Sequence, residues 1–474
     1  MSQLKRLAGD TAIYGVSSIL GRSINYLLVM LHTEVFLPTE LGVFAYLYSY
    51  IGIINVIYTF GMETAFFRFA NKGSSKVSYN AACTTVIGIS TLLSTLIILN
   101  ASSVASLIGY PDVSLLIIWL AIILWIDGIL AIPFARLRHE NKAKLFAALK
   151  VGNIFANVGL QLIFLLLLPY LSKFETFSNI YDSSLGIGYI VLANLIANAL
   201  FLPFLWKYIA SIRITISKKV VKPMIKYATP IMIMGVAGMV NEMLGTIMLK
   251  NLLPDDFYAS MNSEAAVGVY SQTFKLSIFM LLAIQAFRYA GEPFFFSNAA
   301  DKNAPALFAK VMHYFILLSL LMLVVVSLNV NLIAEIFLRK PEFRVALYLV
   351  PILLLGKFLY GIYVNLNVWF KITDKTIYGT YFSILGAAVT IIGNVLLIPI
   401  IGYLGSAITT VLCYLTMMLA CYFTGKKHYP IPYNFKKVTP YVIISAVLVY
   451  LSFVFEHPNF IIDSTIRIII SLGV

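Results

Sequence analysis

Long apolar runs, broken at short intervals by polar stretches, set the pattern of this chain from residue 11 onward. An α-helix needs roughly 20 apolar residues to cross a hydrocarbon core. Runs near that length fall at 11–31, 44–62, 80–99, 113–133, 146–169 and 185–206. A polar, basic stretch at 207–226 follows, then a second six at 227–249, 266–287, 311–330, 345–369, 377–400 and 404–424. Two more begin at 438 and 461, and the last reaches Val474 after only about 14 residues. At roughly 1.5 Å per residue that is too short to span. The pattern therefore predicts an all-α polytopic membrane protein with 13 full helices and a partial fourteenth. Its expected divisions are a six-helix lobe at 1–206, a basic linker at 207–226, a second six-helix lobe at 227–424 and extra helices at 425–474. Lys5 and Arg6 ahead of the first run imitate a signal peptide, but Arg22 in its middle and the missing small-residue cleavage site favour an uncleaved first helix.

Composition agrees: 60% of residues are hydrophobic and 11% charged, where a soluble chain carries about a quarter charged residues. The net charge of +14 would suggest nucleic acid in a soluble protein, but here its placement explains it. Alternate connections, beginning with residues 1–10, hold 24 Lys and Arg, and the opposite set holds 5. By the positive-inside rule the N terminus is expected in the cytoplasm of a bacterial inner membrane, with the excess serving orientation and anionic head groups. One outer loop, with Arg339, Lys340 and Arg344, breaks the rule and is partly offset by Glu335 and Glu342. Cys83, Cys413 and Cys421 all lie in apolar runs, the five histidines are scattered, and nucleotide and zinc-protease motifs are absent. These features speak against metal, redox and ATP chemistry, and the short connections leave no room for an appended catalytic domain.

The two sets of six resemble each other. The run LPTELGVFAYLYSY from 37 and its sequel FGMETAFFRF from 60 parallel EAAVGVYSQTFK from 264 and AFRYAGEPFFF from 286. This aligns Gly42 with Gly268, and Phe66, Phe67 and Phe69 with Phe294, Phe295 and Phe296. Six helices per copy give both copies the same orientation, so the repeat is parallel, a pseudo-twofold along the membrane normal. The blocks KPMIKYATPIMIMGVAGMVNEMLGTIMLKNLLP from 222, AVGVYSQTFK from 266 and NVLLIPIIGYLGSAITTVL from 394 resemble the oligosaccharide flippases of the MOP (multidrug/oligosaccharidyl-lipid/polysaccharide) superfamily. That resemblance covers about residues 8–425. It implies two six-helix lobes, alternating access and transfer of lipid-linked sugars between leaflets.

Ionisable groups inside spans are costly, so each is a candidate for function. The first span places Ser18, Arg22, Asn25 and His32 on one stripe; the second places Tyr48, Gly52, Asn55, Thr59 and Glu63 on another. The seventh carries Gly235, Gly238, Glu242 and Gly245, the eighth Ser271, Lys275, Gln285, Tyr289 and Glu292, and the tenth Lys357, Tyr360, Asn367 and Lys371. The resemblance implies that the first, second, seventh and eighth spans line the cavity. Arg22, Asn25, Asn55, Lys275 and Lys357 are the candidate substrate contacts. Asp127, Glu242, Glu63, Arg68, Arg288 and Glu292 are the candidates for coupling or gating, with Glu63–Arg68 and Arg288–Glu292 as pairs at helix ends. Competing structural readings are snorkelling or ion pairing for those pairs, close packing for the glycine stripe, and interhelical hydrogen bonds for Asn153, Asn157, Gln161, Thr390 and Asn394. Three buried bases against two acids suit a diphosphate.

The expected activity is thus not enzymatic. It is translocation of a polyprenyl-diphosphate-linked oligosaccharide, such as an O-antigen, capsule or exopolysaccharide unit, without a cofactor and with H⁺ or Na⁺ as coupling ion. Its expected partners are that glycan lipid, the bilayer and a polysaccharide polymerase machinery, with no nucleic acid. A lipid II flippase, whose extra helix pair forms a lipid-tail groove, and a cation-coupled multidrug exporter are the alternatives within transport. A glycan polymerase or ligase is the alternative from another class.

Overall fold

A computed structural model describes residues 19–21, 23–24, 26–214, 217–299, 301–455 and 460–473. Its principal helices are α1 (Pro38–Thr59), α2 (Met62–Lys72), α3 (Ser75–Leu99), α4 (Ser114–His139), α5 (Ala143–Leu162), α6 (Gly188–Leu200), α7 (Lys218–Leu252), α8 (Ser263–Lys275), α9 (Ile278–Asn298), α10 (Ala304–Leu328), α11 (Leu349–Leu366), α12 (Ile377–Ile401), α13 (Tyr403–His428), α14 (Phe435–Val454) and α15 (Phe460–Gly473). Among the described residues, 11 helices are long and apolar enough to cross a membrane, and the bent pair α8–α9 makes a twelfth. These coincide with the twelve runs predicted from 44–62 to the one beginning at 438. Nearly half of the first predicted span lies outside the described residues, and 26–35 is helical. α15, at 14 residues, is as short as its run implied.

Three elements depart from the hydropathy pattern. The second span starts earlier, because Pro38 occupies the first helical position and Glu40 accepts the Leu37 N–H at 2.8 Å. It then breaks where Phe60 (φ 51°) and Gly61 (φ 65°) adopt left-handed conformations. The basic linker expected at 207–226 is partly helical, since α7 begins at Lys218 and runs for 35 residues; lysines carry a helix past the apolar boundary by extending toward water. The eighth span is interrupted at Leu276–Ser277, with a bend of 42°.

The chain forms two compact units. One contains residues 47–236; the other contains 29–46 and 237–474. The first is centred on Phe66, Tyr79, Cys83, Val86, Ile132, Met224 and Ala228. Along α3, Cys83, Val86, Ser90 and Ser94 face inward while Leu92, Leu96 and Leu99 are exposed, the arrangement of a helix with lipid on its outer face.

The second unit is centred on Leu249, Val267, Tyr270, Leu349, Leu353, Ile398 and Tyr403. Within it, the two glycines that the internal repeat aligns meet directly. A Cβ on Gly42 would lie 2.0 Å from the Glu264 carbonyl oxygen, and one on Gly268 would lie 1.8 Å from that of Pro38. Only glycine allows backbones so close. The loop with Arg339, Lys340 and Arg344, which departs from the expected charge pattern, also has a structural role here. Lys340 Nζ donates to the carbonyls of Val35 (3.2 Å) and Phe36 (3.0 Å), closing the end of helix 26–35, where a cation offsets the helix dipole. Thr33 accepts from the Arg339 N–H at 3.0 Å, and Arg344 pairs with Glu335. α15 is amphipathic with its polar face inward. Asp463 and Arg467 pair at 2.6 Å, and Arg467 donates to the Leu328 carbonyl at 3.2 Å. Ile462, Ile466 and Ile469 are exposed.

Candidate functional site

The second unit holds the most concentrated buried chemistry. α7 supplies Glu242, α11 Lys357 and α13 Tyr414. Lys357 Nζ lies 2.5 Å from Glu242 Oε1, and the Tyr414 hydroxyl donates to Glu242 Oε2 at 2.8 Å. The ammonium also sits 4.6 Å from the centre of the Phe274 ring, a favourable cation–π position. Glycines bring the helices this close. A Cβ on Gly245, one turn beyond Glu242, would meet Ser406 Oγ at 2.6 Å, and one on Gly356 would meet Thr410 at 3.2 Å. The glycine stripe of the seventh span thus serves packing at Gly245, while Gly238 has open space around it. Exposure is unequal across the pair: the Lys357 side chain is 2% accessible and that of Glu242 24%. The carboxylate is the partner open to exchange.

Next to this cluster, α8 ends at Lys275, whose ammonium donates to Gln272 Oε1 at 3.0 Å. The buried Thr273 hydroxyl has no partner among the described residues. An interrupted helix at membrane depth frees backbone groups and is a recurrent way of building ion and substrate sites. Beside it, Asn241 donates to the Ser383 carbonyl at 3.3 Å, Thr390 donates to Asn241 Oδ1 at 3.5 Å, and Asn394 donates to the Thr390 carbonyl at 2.7 Å. The first two bonds tie α12 to α7.

The first unit has its own acid. Asp127 on α4 accepts from Asn198 Nδ2 at 3.1 Å; Asn198 Oδ1 accepts from Asn153 at 3.0 Å; Asn194 donates to the Tyr48 hydroxyl at 3.1 Å. Lys150 lies close enough to act on Asp127 electrostatically. Asn55 has a buried side-chain amide oxygen, Oδ1, without a partner among the described residues.

At the helix ends the pairing differs from expectation. Glu63 pairs with Arg138 at the end of α4, and Arg68 instead lies over the Tyr227 ring, 4.2 Å from its centre. The reason is helical geometry: five residues apart on α2, Glu63 and Arg68 point to different faces. Arg288 lies 5.8 Å from the centre of the Tyr289 ring; the Glu292 side chain, like Arg22 and Asn25, falls outside the described residues. Beyond α4, partial burial works to raise the Glu140 carboxyl, but Lys142 and Arg136 outweigh it and hold it below its ordinary value.

The sequence reading missed Tyr414, Asn194, Asn198 and Lys150. Asn194 and Asn198, one turn apart on a largely apolar run, were a detectable polar stripe. Tyr414 was hidden among other tyrosines. Lys357, counted with Arg22 and Lys275 against Glu242 and Asp127, has Glu242 as its own carboxylate, and Asp127 has Lys150 nearby.

The fold has solved counterparts. The lipid II flippase MurJ in an inward closed conformation aligns with a TM-score of 0.74 at 15% identity, covering 97% of this chain and 97% of that one. A multidrug resistance MATE family transporter of the MOP superfamily aligns in its inward-facing conformation with a TM-score of 0.64 at 12% identity, covering 90% and 95%. An outward-facing conformation of such a transporter aligns at 0.60 and 14% identity, covering 93% and 99%. No curated protein matches the sequence significantly. At 12–15% identity these likenesses show a shared fold, that of an all-helical multi-pass membrane protein. The sequence matches the polysaccharide biosynthesis protein family over residues 35–287, more than half of its length, and the chain belongs to that family.

Proposed function

We propose that this protein is a flippase for a polyprenyl-diphosphate-linked oligosaccharide, moving it from the cytoplasmic to the periplasmic leaflet of a bacterial inner membrane. The observation that carries the reading is the Glu242–Lys357–Tyr414 cluster beside the interrupted helix α8–α9, in a chain of the polysaccharide biosynthesis family. A buried lysine needs a counter-charge, and Glu242 supplies it when no substrate is bound. An entering diphosphate offers stronger, multiply charged acceptors. Lys357 then exchanges Glu242 for phosphate oxygens, with Lys275 as the second base. Arg22 and Asn25, placed by the sequence alone, extend the cationic and amide surface, and Asn55 offers an acceptor to sugar hydroxyls.

The released Glu242 carboxylate takes up a proton or Na⁺, which couples transport to an ion; Asp127 is the corresponding acid of the first unit. Glu63, Arg68, Arg288 and Glu292 act at the helix ends that open and close. Translocation proceeds by alternating access while the polyprenyl tail stays in lipid. The protein does this without a cofactor and delivers its substrate to a polymerase machinery, and its N terminus lies in the cytoplasm.

The second reading is lipid II as substrate. It is favoured by the likeness to MurJ, which extends over 97% of the chain and so includes helices beyond residue 425. A multidrug exporter taking organic cations fits less well, because Lys275 and Lys357 put cationic side chains beside α8–α9.

The test is deletion of the gene with mass spectrometry of polyprenyl-diphosphate-linked glycans and lectin access from the periplasmic side. Accumulation of a completed repeat unit inaccessible to lectin supports the reading. Accumulation of lipid II moves the assignment to the second reading, and unchanged lipid-linked glycans with increased dye retention move it to export.

A further inference from the structure

The second unit carries a groove of about 890 Å³ between α10, α11, α13 and α14, closed at one end by the connector before α14. Its walls are apolar along most of their length, with Met312, Ile316, Phe358, Leu359, Leu419 and Val442 among them. Its character changes at the end where α10 and α14 begin. There Lys310, His313 and Lys437 line it together with Asn434 and the tyrosine ring of Tyr433, and no Asp or Glu lines it anywhere. Among the described residues, none of these three basic side chains is in an ion pair. The groove is therefore an elongated apolar slot with an uncompensated basic mouth.

It is separate from the site described above. α11 contributes Leu355, Phe358, Leu359, Ile362 and Leu366 to the groove. At roughly 100° per residue these lie on the face opposite Lys357, so the thickness of the helix stands between the groove and the ion pair.

We propose that this groove binds one anionic membrane phospholipid, an acyl chain lying along the apolar wall and the phosphate held at the mouth by Lys310 and Lys437. Apolar length with cationic termination is the complement of such a lipid, and basic pockets between transmembrane helices recognise phosphate head groups in this way. A zwitterionic lipid places a cation beside its phosphate, which the basic mouth disfavours. A substrate tail has its charge in the transport pathway and would leave the mouth unneutralised.

The experiment uses the full chain in detergent, stripped of lipid, then exposed to mixed micelles containing phosphatidylglycerol or phosphatidylcholine, with retained lipid counted by native mass spectrometry. Wild type retains one phosphatidylglycerol in preference to phosphatidylcholine. In the K310Q/K437Q variant phosphatidylglycerol retention falls roughly ten-fold or more, each cation near the head group contributing a share, while phosphatidylcholine retention is unchanged. A Val442→Trp variant, which fills the slot, loses phosphatidylglycerol with both lysines intact. Equal retention of the two lipids by wild type, or retention that neither variant alters, overturns the proposal. So does displacement of phosphatidylglycerol by equimolar polyprenyl phosphate, which would assign the groove to the transported lipid.

Discussion

Replacing Glu242 with glutamine removes the charge that neutralises Lys357 while keeping side-chain size and a hydrogen-bonding group for Tyr414. Lys357 is 2% accessible, so its ammonium cannot reach water and must stay buried without a full counter-charge. Removing one partner of a buried pair destabilises by about 3–5 kcal/mol. The reciprocal change, Lys357→Met, leaves Glu242 at 24% accessibility and still bonded to Tyr414 at 2.8 Å. That carboxylate keeps a donor and some solvent, and the expected loss is smaller, about 1–3 kcal/mol. The double variant, with no buried charge, recovers part of the loss, giving a coupling energy of about 1–3 kcal/mol. The assay is equilibrium unfolding of the detergent-solubilised protein for wild type, the two single variants and the double variant. Additive losses, or a larger loss for Lys357→Met than for Glu242→Gln, would refute the assignment of Glu242 as the resident counter-ion.

Gly42→Ala and Gly268→Ala each push a methyl group against a backbone carbonyl, at 2.0 and 1.8 Å. They are expected to cost about 3 kcal/mol or more, at or beyond the usual range for overpacking, whereas Gly88→Ala, with nothing within 4 Å, leaves folded yield at or above wild type. Lys340→Met removes the cation at the end of helix 26–35, and the midpoint of thermal unfolding is expected to fall by the equivalent of about 0.5–2 kcal/mol, with faster amide exchange confined to that helix. Asp127→Asn keeps an oxygen for Asn198; stability stays within about 1 kcal/mol of wild type while transport falls at least about ten-fold, and unchanged transport would reduce Asp127 to a structural role. Asp255, outside the spans, is held below its ordinary value of 3.8 by bonds from Ser263, chiefly its hydroxyl. A depressed acid stabilises above its unfolded value and loses that contribution as pH falls through the folded one. Protection of the Ser263 N–H, taken relative to its intrinsic exchange rate at each pH, is therefore kept at pH 5 and lost only below pH 3.8.

The hydropathy pattern was sufficient for the order of the twelve spans that fall on described residues, because each run had to satisfy its own backbone in lipid. The same simplicity limits it. Nothing in the sequence around Lys275, Leu276 and Ser277 marks an interruption: no proline or glycine stands there, and the break is visible only in three dimensions. α7 starts at Lys218 rather than at the edge of its apolar run because lysine side chains reach water from a helix that continues below them. Gly42 and Gly268 were visible as an aligned pair, but their contact follows from folding two copies together. Depth along a span could be read from residue number, which made Glu242, Asp127, Lys275 and Lys357 candidates. Which acid meets which base depends on helix rotation and crossing, which a span with apolar residues on every face does not specify. The assignment of Glu242 to Lys357 was therefore out of reach of the sequence, as was the polar chain from Asp127 through Asn198 to Asn153.

The central claim, that the chain itself carries a diphosphate-linked saccharide across a bilayer, is tested most directly by reconstitution. Purified protein is placed in liposomes containing a fluorescent polyprenyl-diphosphate oligosaccharide, and its head group is followed by accessibility to an external quencher. The account predicts protein-dependent movement of the head group between leaflets, abolished by Lys357→Met, at a rate that responds to a proton or sodium gradient. Movement no faster than in empty liposomes under every gradient, with the folded protein verified in the membrane, would contradict it.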